Sequence, residues 1–299
     1  MSPRDPEQLE AAAPAEGAQL PDHAAMGAVH LTVADLERSL EYYRGSIGLD
    51  TLELGAGRAA LGAGGRELLV LVEERGAPSA RGHTGLYHFA LLLPRRADLA
   101  RWLAHAIGEH VAMSGFADHF VSEALYLSDP DDHGIEIYWD RPREVWEGQV
   151  AARMTTRTLD LDALLRELED TPGEPFEGLP AATTMGHVHL KVATLGDAVA
   201  FYRDVLGFAL MAQLGPYAAF LSVGGYHHHL GANTWESAGA SAPPPGAAAL
   251  RHATIVLPDA GERERVIARV ERSGVEMAEA PEGPAVSDPS GNLLVLAVA

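Results

Sequence analysis

The chain has no cysteine among its 299 residues. This absence excludes disulfide bonds, thiolate metal ligands and a cysteine nucleophile, so any bound metal must be held by histidine and carboxylate. A chain without cysteine also suits a reducing compartment, and we therefore expect a cytoplasmic protein.

Long apolar runs and clusters of basic residues are missing as well. No stretch approaches the roughly 20 apolar residues that a membrane-spanning helix needs. The 22 Lys and Arg residues are outnumbered by 42 Asp and Glu, which gives a formal net charge of -20. Because this charge repels nucleic-acid phosphates and anionic lipid, we expect neither nucleic acid nor membrane as a partner. A small-molecule ligand is favoured, and a homo-oligomer stays open.

The first 25 residues lack any hydrophobic stretch that could serve as a signal. They are acidic and rich in proline and alanine. Such a composition cannot bury enough apolar surface to fold. We therefore predict a disordered acidic tail at residues 1–25 and an ordered chain from Met26 onward.

What the chain does contain is an internal repeat. The fragment MGAVHLTVADLERSLEYYRGSIGL at residues 26–49 returns as MGHVHLKVATLGDAVAFYRDVLGF at residues 185–208. Each copy reads as a strand that carries a histidine, His30 or His189, followed by an amphipathic helix. The chain therefore consists of two halves related by an internal duplication.

Hydrophobic periodicity extends the repeat to four βαβββ units and predicts an α+β fold. The opening strands are expected at residues 28–33, 86–93, 187–192 and 252–257, and the helices at 36–47, 97–110, 196–205 and 261–272. Residues 141–184 are charged and marked by proline and glycine, and read as a linker with one helix over 159–168. Pairing the units in chain order predicts an N-terminal domain at 26–140 with the metal site and a C-terminal domain at 185–299.

Three side chains take matching places in the first two units. His30 and His88 lie in opening strands, and Glu136 lies in the closing strand of the second unit, between two isoleucines. A carboxylate among apolar strand residues is costly unless ionic or hydrogen-bonding partners meet it, and a metal is such a partner. Two histidines and one carboxylate form the facial donor set of non-haem Fe(II) oxygenases. These three residues are the predicted metal ligands.

The repeated GxVHLxV and FYRxxLGF fragments, the YHF strand and the DPDxxGIEIY ending resemble the vicinal oxygen chelate superfamily. The segment SEALYLSDPDDHGIEIYWDRP is similar to its bacterial catechol 2,3-dioxygenase branch. The resemblance implies paired βαβββ units that form an open cup around one Fe(II), with Mn(II) as the alternative metal. It also implies extradiol cleavage of a catechol-like aromatic diol, with both atoms of O2 inserted.

The resemblance further implies two catalytic residues. Tyr126, ten residues before Glu136, would hydrogen-bond a substrate oxygen, and His119 would donate a proton or stabilise developing charge. The chain also departs from the family. Its strand at 67–71 lacks the additional acid/base histidine of the ring-cleaving members, and Val295 stands in the second half where Glu136 stands in the first.

Two other functions stay open on the sequence alone. A glyoxalase-type lyase or isomerase would use the metal as a Lewis acid, but such enzymes usually have four protein ligands. A drug-binding module of the same fold would need no metal and generally lacks the triad. The histidines of the second half either form a second metal site or hydrogen-bond within the core; they are His189, His227, His228, His229 and His252.

Overall fold

The computed structural model describes residues 19–170 and 175–299, and it confirms the α+β fold with four βαβββ units. The first unit contains β1 (Ala25–Val33), α1 (Leu36–Tyr42), β2 (Asp50–Gly55), β3 (Arg58–Ala63) and β4 (Arg66–Glu73). The second contains β5 (Gly85–Leu92), α2 (Arg96–Gly108), β6 (Met113–Asp118), β7 (Ser122–Ser128) and β8 (Gly134–Asp140).

The second half repeats this order. The third unit contains β10 (Thr184–Lys191), α7 (Leu195–Ala200), β11 (Ala209–Leu214), β12 (Ala218–Ser222) and β13 (Leu230–Asn233). The fourth contains β14 (Leu250–Leu257), α8 (Ala260–Arg272), β15 (Met277–Ala280), β16 (Gly283–Ser287) and β17 (Leu293–Val298).

The helix of the first unit begins and ends where the sequence predicts. The Asp35 carboxylate accepts a hydrogen bond from the Arg38 backbone N–H at 3.0 Å and so caps the first turn. After Tyr42 the helix widens into a π-helical turn that ends at Gly48, whose φ of 90° is a conformation that glycine adopts without strain.

The four units form two sheets, and these do not follow chain order. The first and fourth units share an eight-stranded sheet, in which β1 and β14 pair antiparallel. The second and third units share a nine-stranded sheet, in which β5 and β10 pair in the same way. We predicted that the first unit pairs with the second, in a domain at 26–140, and the third with the fourth, in a domain at 185–299. The sheets instead join the first unit to the fourth and the second to the third.

The first and second units are held together by the core instead of by sheet hydrogen bonds, and so are the third and fourth. One hydrophobic cluster draws residues from both sheets and from the helices between them. Within it, the Tyr43 hydroxyl donates to Asp129 Oδ2 at 2.9 Å and so joins the first unit to the second. The Tyr202 hydroxyl bonds Asp288 in the same way between the third and fourth units. Both interactions are buried, and the duplication has preserved the pair.

The connection between the halves contains several short elements instead of the single predicted helix. In place of one helix over 159–168 it contains α3 (Arg143–Trp146), α4 (Val150–Arg153), β9 (Arg157–Thr158), α5 (Leu161–Leu165) and α6 (Glu167–Asp170). Asp160 caps α5 by accepting from the Ala163 N–H at 2.9 Å, which explains why the helix begins after residue 160.

Order begins before Met26, contrary to expectation. Leu20 and Ala24 are buried, and the Leu20 N–H donates to the Gly207 carbonyl at 2.9 Å. The part of the predicted tail at residues 1–18 lies outside the described residues. In the described part of the chain, no helix is both long and apolar enough to cross a membrane.

Candidate metal centre

Three neighbouring strands bring together His88, Glu136 and His187. Ala90 of β5 lies opposite Glu136 of β8 on one side and opposite His187 of β10 on the other. His88 lies two residues before Ala90, so all three side chains project from the same face of the sheet. Ala90 has a small side chain, which leaves space above it for the others to converge.

The three ligand atoms form a compact triangle. Glu136 Oε2 lies 3.1 Å from His88 Nε2 and 3.0 Å from His187 Nε2, and the two nitrogens are 3.3 Å apart. Ligands bound at about 2.1 Å and at right angles lie about 3.0 Å apart, so the triangle matches one face of an octahedral metal site. Two imidazoles and a carboxylate are also donors that divalent first-row metals accept.

Burial and charge hold Glu136 and His187 in the protonation states that a metal needs. Burial opposes ionisation of Glu136, but the neighbouring His187 and His88 outweigh it and lower the pKa of the carboxyl well below its usual range. Burial lowers the pKa of His187 in spite of the opposing carboxylate. His187 Nδ1 is buried and has no hydrogen-bond partner among the described residues.

His30 does not belong to this triangle, so the predicted set of His30, His88 and Glu136 is not brought together. The reason is topological: His30 lies in β1, which pairs with β14 and β4 in the other sheet. His187 takes the place in the triangle that we expected for His30. A signal for it existed in the sequence, because the copies read MGAVHL and MGHVHL, and His187 is the histidine by which they differ.

The two predicted catalytic residues do lie beside the triangle. Tyr126 of β7 is directly opposite Glu136 of β8, and its ring lies 5.6 Å from that of His88. The Tyr126 hydroxyl is 2.7 Å from His119 Nε2. Burial and the Glu136 carboxylate raise the pKa of Tyr126 well above its usual value, so the phenol stays protonated and can donate a hydrogen bond.

The tautomer of His119 follows from its other nitrogen. Nδ1 lies 2.8 Å from the Thr155 carbonyl, which can only accept a hydrogen bond. A neutral His119 therefore carries its proton on Nδ1 and accepts at Nε2 from the Tyr126 hydroxyl. The arrangement forms a short proton path from His119 through Tyr126 to the edge of the triangle.

The histidine triplet after β12 supports the site without contributing to the triangle. His227 Nε2 bonds Asp140 Oδ1 at 2.7 Å, and the His228 ring lies 4.0 Å from that of His187. His229 Nδ1 lies 2.8 Å from the Ser222 hydroxyl. The sequence also allowed a site built from His189, His252 and one histidine of the triplet. Among the described residues these side chains do not converge on a common point, and His252 lies in the other sheet from His189.

A second group of three potential ligands lies in the eight-stranded sheet. His30 and His252 are paired across β1 and β14 with their rings stacked 3.9 Å apart, and Glu282 lies over them. Burial, together with His252 and two arginines, lowers the pKa of His30 to about 3. In the described residues, this group and the first are the two clusters with three converging ligand atoms.

Comparison with known proteins agrees with the duplicated architecture. The family model of the Glyoxalase/Bleomycin resistance protein/Dioxygenase superfamily matches residues 21–137 and again residues 184–296. The chain therefore belongs to this superfamily. It is 44% identical over 272 residues to a catechol-2,3-dioxygenase of Bacillus subtilis, a match that covers 88% of this chain and 93% of that protein.

Solved structures share the fold at low sequence identity. A putative dioxygenase from Bacillus subtilis superposes with a TM-score of 0.63 at 14% identity, covering 92% of this chain and 85% of that one. Glyoxalase I from Zea mays superposes with a TM-score of 0.53 at 16% identity, covering 92% of each chain. At these identities the likeness establishes the fold alone.

Proposed function

We propose that the chain is an extradiol ring-cleaving dioxygenase that acts on a catechol-like aromatic diol and inserts both atoms of O2. Its metal would be Fe(II), with Mn(II) as the alternative. The convergence of His88, Glu136 and His187 carries the proposal, since two imidazoles and one carboxylate are the donor set of non-haem Fe(II) oxygenases. The 44% identity to a catechol-2,3-dioxygenase supports this choice of reaction.

The geometry of the triangle suits a substrate that binds the metal directly. When bound, Fe(II) would supply the redox chemistry that couples dioxygen to the diol. The three donor atoms are only 3.0–3.3 Å apart, so they would hold a cation from one side and leave room for substrate and dioxygen on the other. The side chains of the triangle are almost fully buried, which keeps bulk water away from the reacting groups.

Tyr126 and His119 are the residues we assign to proton transfer. A catechol that arrives neutral must lose protons as it binds, and ring opening later requires a proton back. His119 Nε2 accepts from the Tyr126 hydroxyl at 2.7 Å, so the pair can take up a proton at His119 and return it. Tyr126, beside Glu136, would orient a substrate oxygen by hydrogen bonding.

Oxygen uptake tests the proposal. The full chain is loaded anaerobically with Fe(II), freed of excess metal and mixed with catechol and a panel of substituted catechols. We expect one O2 consumed per diol and a yellow ring-opened product. Activity on a hemithioacetal with Ni(II) or Zn(II), without oxygen uptake, would instead assign the chain to the lyase branch.

A matched pair of variants ties the activity to the triangle. Glu136→Gln removes the carboxylate charge and is expected to abolish oxygen uptake together with bound iron. Glu109→Gln makes the same chemical change at an exposed residue outside the site and is expected to leave both unchanged. An iron-loaded protein that consumes no oxygen with any diol of the panel would overturn the proposal.

A further inference from the structure

We propose that His30, His252 and Glu282 form a second divalent-metal site, best suited to Zn(II), in the eight-stranded sheet. This site is separate from the triangle of His88, Glu136 and His187, and no ligand is shared between them. It does not depend on the proposed dioxygenase function.

The spacing of the ligand atoms carries the inference. Glu282 Oε1 lies 3.5 Å from His30 Nδ1, and Glu282 Oε2 lies 3.6 Å from His252 Nε2. These separations exceed the usual length of an N–H···O hydrogen bond. Ligands bound at about 2.1 Å and at the tetrahedral angle lie about 3.4 Å apart, so the gap is of the size that a tetrahedral Zn(II) fills.

The two imidazoles are buried, and one of their nitrogens lacks a hydrogen-bond partner in the described part of the chain. Both side chains are buried, with 4% of His30 and 6% of His252 exposed. His252 Nε2 is buried and has no hydrogen-bond partner among the described residues. A buried polar atom without a partner is destabilising, and a metal bound at this nitrogen would remove that penalty.

The third ligand is placed by a tight turn. Glu282 lies in the two-residue turn between β15 and β16, where Ala280 pairs with Gly283. The short turn brings the glutamate beside both rings, although its side chain is still 31% exposed. A metal held here would add a further link between the first unit, through β1, and the β15–β16 hairpin of the fourth.

The candidate site is accessible from a large cavity. His30 and Glu282 line a cavity of about 660 Å³ whose other walls include Glu67 and Tyr226. A cation with three protein ligands would keep at least one coordination position open toward this space, as metal sites with an exchangeable ligand do. The cavity gives a metal ion a route into the site.

Metal counting tests the proposal without using enzyme activity. The full chain is stripped with chelator, equilibrated with Zn(II), passed through a desalting column and analysed for bound zinc. We expect about two zinc ions per chain, and about one for either Glu282→Gln or His187→Ala, because each variant removes a ligand of a different site. Calorimetry is expected to show more than a 100-fold loss of affinity at the altered site, since even changes outside the ligands cost about 10–100-fold.

Two further variants keep the test decisive. Glu279→Gln alters an exposed glutamate of the same hairpin outside the cluster and is expected to bind as much zinc as the unmodified protein. His252→Phe keeps a ring stacked on His30 but removes the Nε2 ligand atom. It replaces Glu282→Gln in the zinc measurement if Glu282→Gln does not fold. If Glu282→Gln and His252→Phe retain the full zinc content, or if the unmodified chain binds a single zinc that His187→Ala abolishes, the second site does not exist.

Discussion

His187 Nε2 lies 3.0 Å from Glu136 Oε2, and the two residues come from different halves of the duplicated chain. The strands that carry them, β10 and β8, both flank β5. The triangle therefore forms only when the second and third units share one sheet. Metal binding at the triangle is therefore coupled to the assembly of that sheet. A metal that binds the folded chain but not the unfolded one stabilises the folded state.

The first prediction concerns His187. His187→Ala removes one of two imidazoles from the triangle, and we expect its Fe(II) affinity to fall by more than about 100-fold, since losing a ligand costs more than losing a group that merely supports one. Iron retained after gel filtration of the anaerobically loaded protein measures the loss. His110→Asn is the control, because His110 is exposed and its φ of 56° is one that asparagine tolerates.

A different outcome would favour the ligand set predicted from sequence. If His187→Ala keeps its iron and its oxygen uptake while His30→Ala loses both, then His30 and not His187 serves the catalytic metal.

Local features of the fold could be predicted from the sequence. Asp35 and Gly48 bound the first helix because capping and a left-handed glycine are decided within a few residues. Tyr126 and Glu136 face each other because the hairpin turn between β7 and β8 sets their register. His119 lies in the turn between β6 and β7, and its contact with Tyr126 follows from that hairpin.

The pairing between units could not be predicted in this way. The edge of an opening strand offers backbone hydrogen bonds that any other opening strand can accept, so periodicity does not choose between partners. This choice decided which histidine joins the triangle. The histidine triplet before β13 is a second feature that periodicity does not define: His227 bonds Asp140, His229 bonds Ser222, and the strand begins only at Leu230.

The second prediction concerns Tyr126. Tyr126→Phe removes the hydroxyl that bonds His119 Nε2 but no ligand atom. We expect kcat for catechol cleavage to fall by about 100-fold, the lower end of what positioned acid/base groups contribute, while the iron content stays unchanged. Steady-state oxygen uptake with metal analysis of the same sample measures both. Equal kcat in Tyr126→Phe and the unmodified protein would remove Tyr126 from the mechanism.

The third prediction concerns the core contact between the first two units. The Tyr43 hydroxyl donates to the buried carboxylate of Asp129, whereas the neighbouring Tyr42 donates to the Ser128 carbonyl from a half-buried position. Tyr43→Phe is expected to cost about 2 kcal/mol of unfolding free energy, since hydrogen bonds to charged groups contribute about 1.5–3 kcal/mol. Tyr42→Phe should cost less than about 1 kcal/mol. Denaturant titration compares them, and equal losses would contradict the role given to Asp129.

The fourth prediction concerns acid stability. Burial, with His227 and His187 nearby, lowers the pKa of His229 from 6.5 to about 3. Between these values the unfolded chain binds a proton at His229 that the folded chain does not, so the free energy of unfolding decreases as the pH falls from 6.5 toward 3. His229→Gln removes this titration, and we expect its stability to fall less steeply over that interval. Denaturant titrations of the metal-free proteins at a series of pH values measure the two slopes, and parallel slopes would show that His229 is not held neutral by the fold.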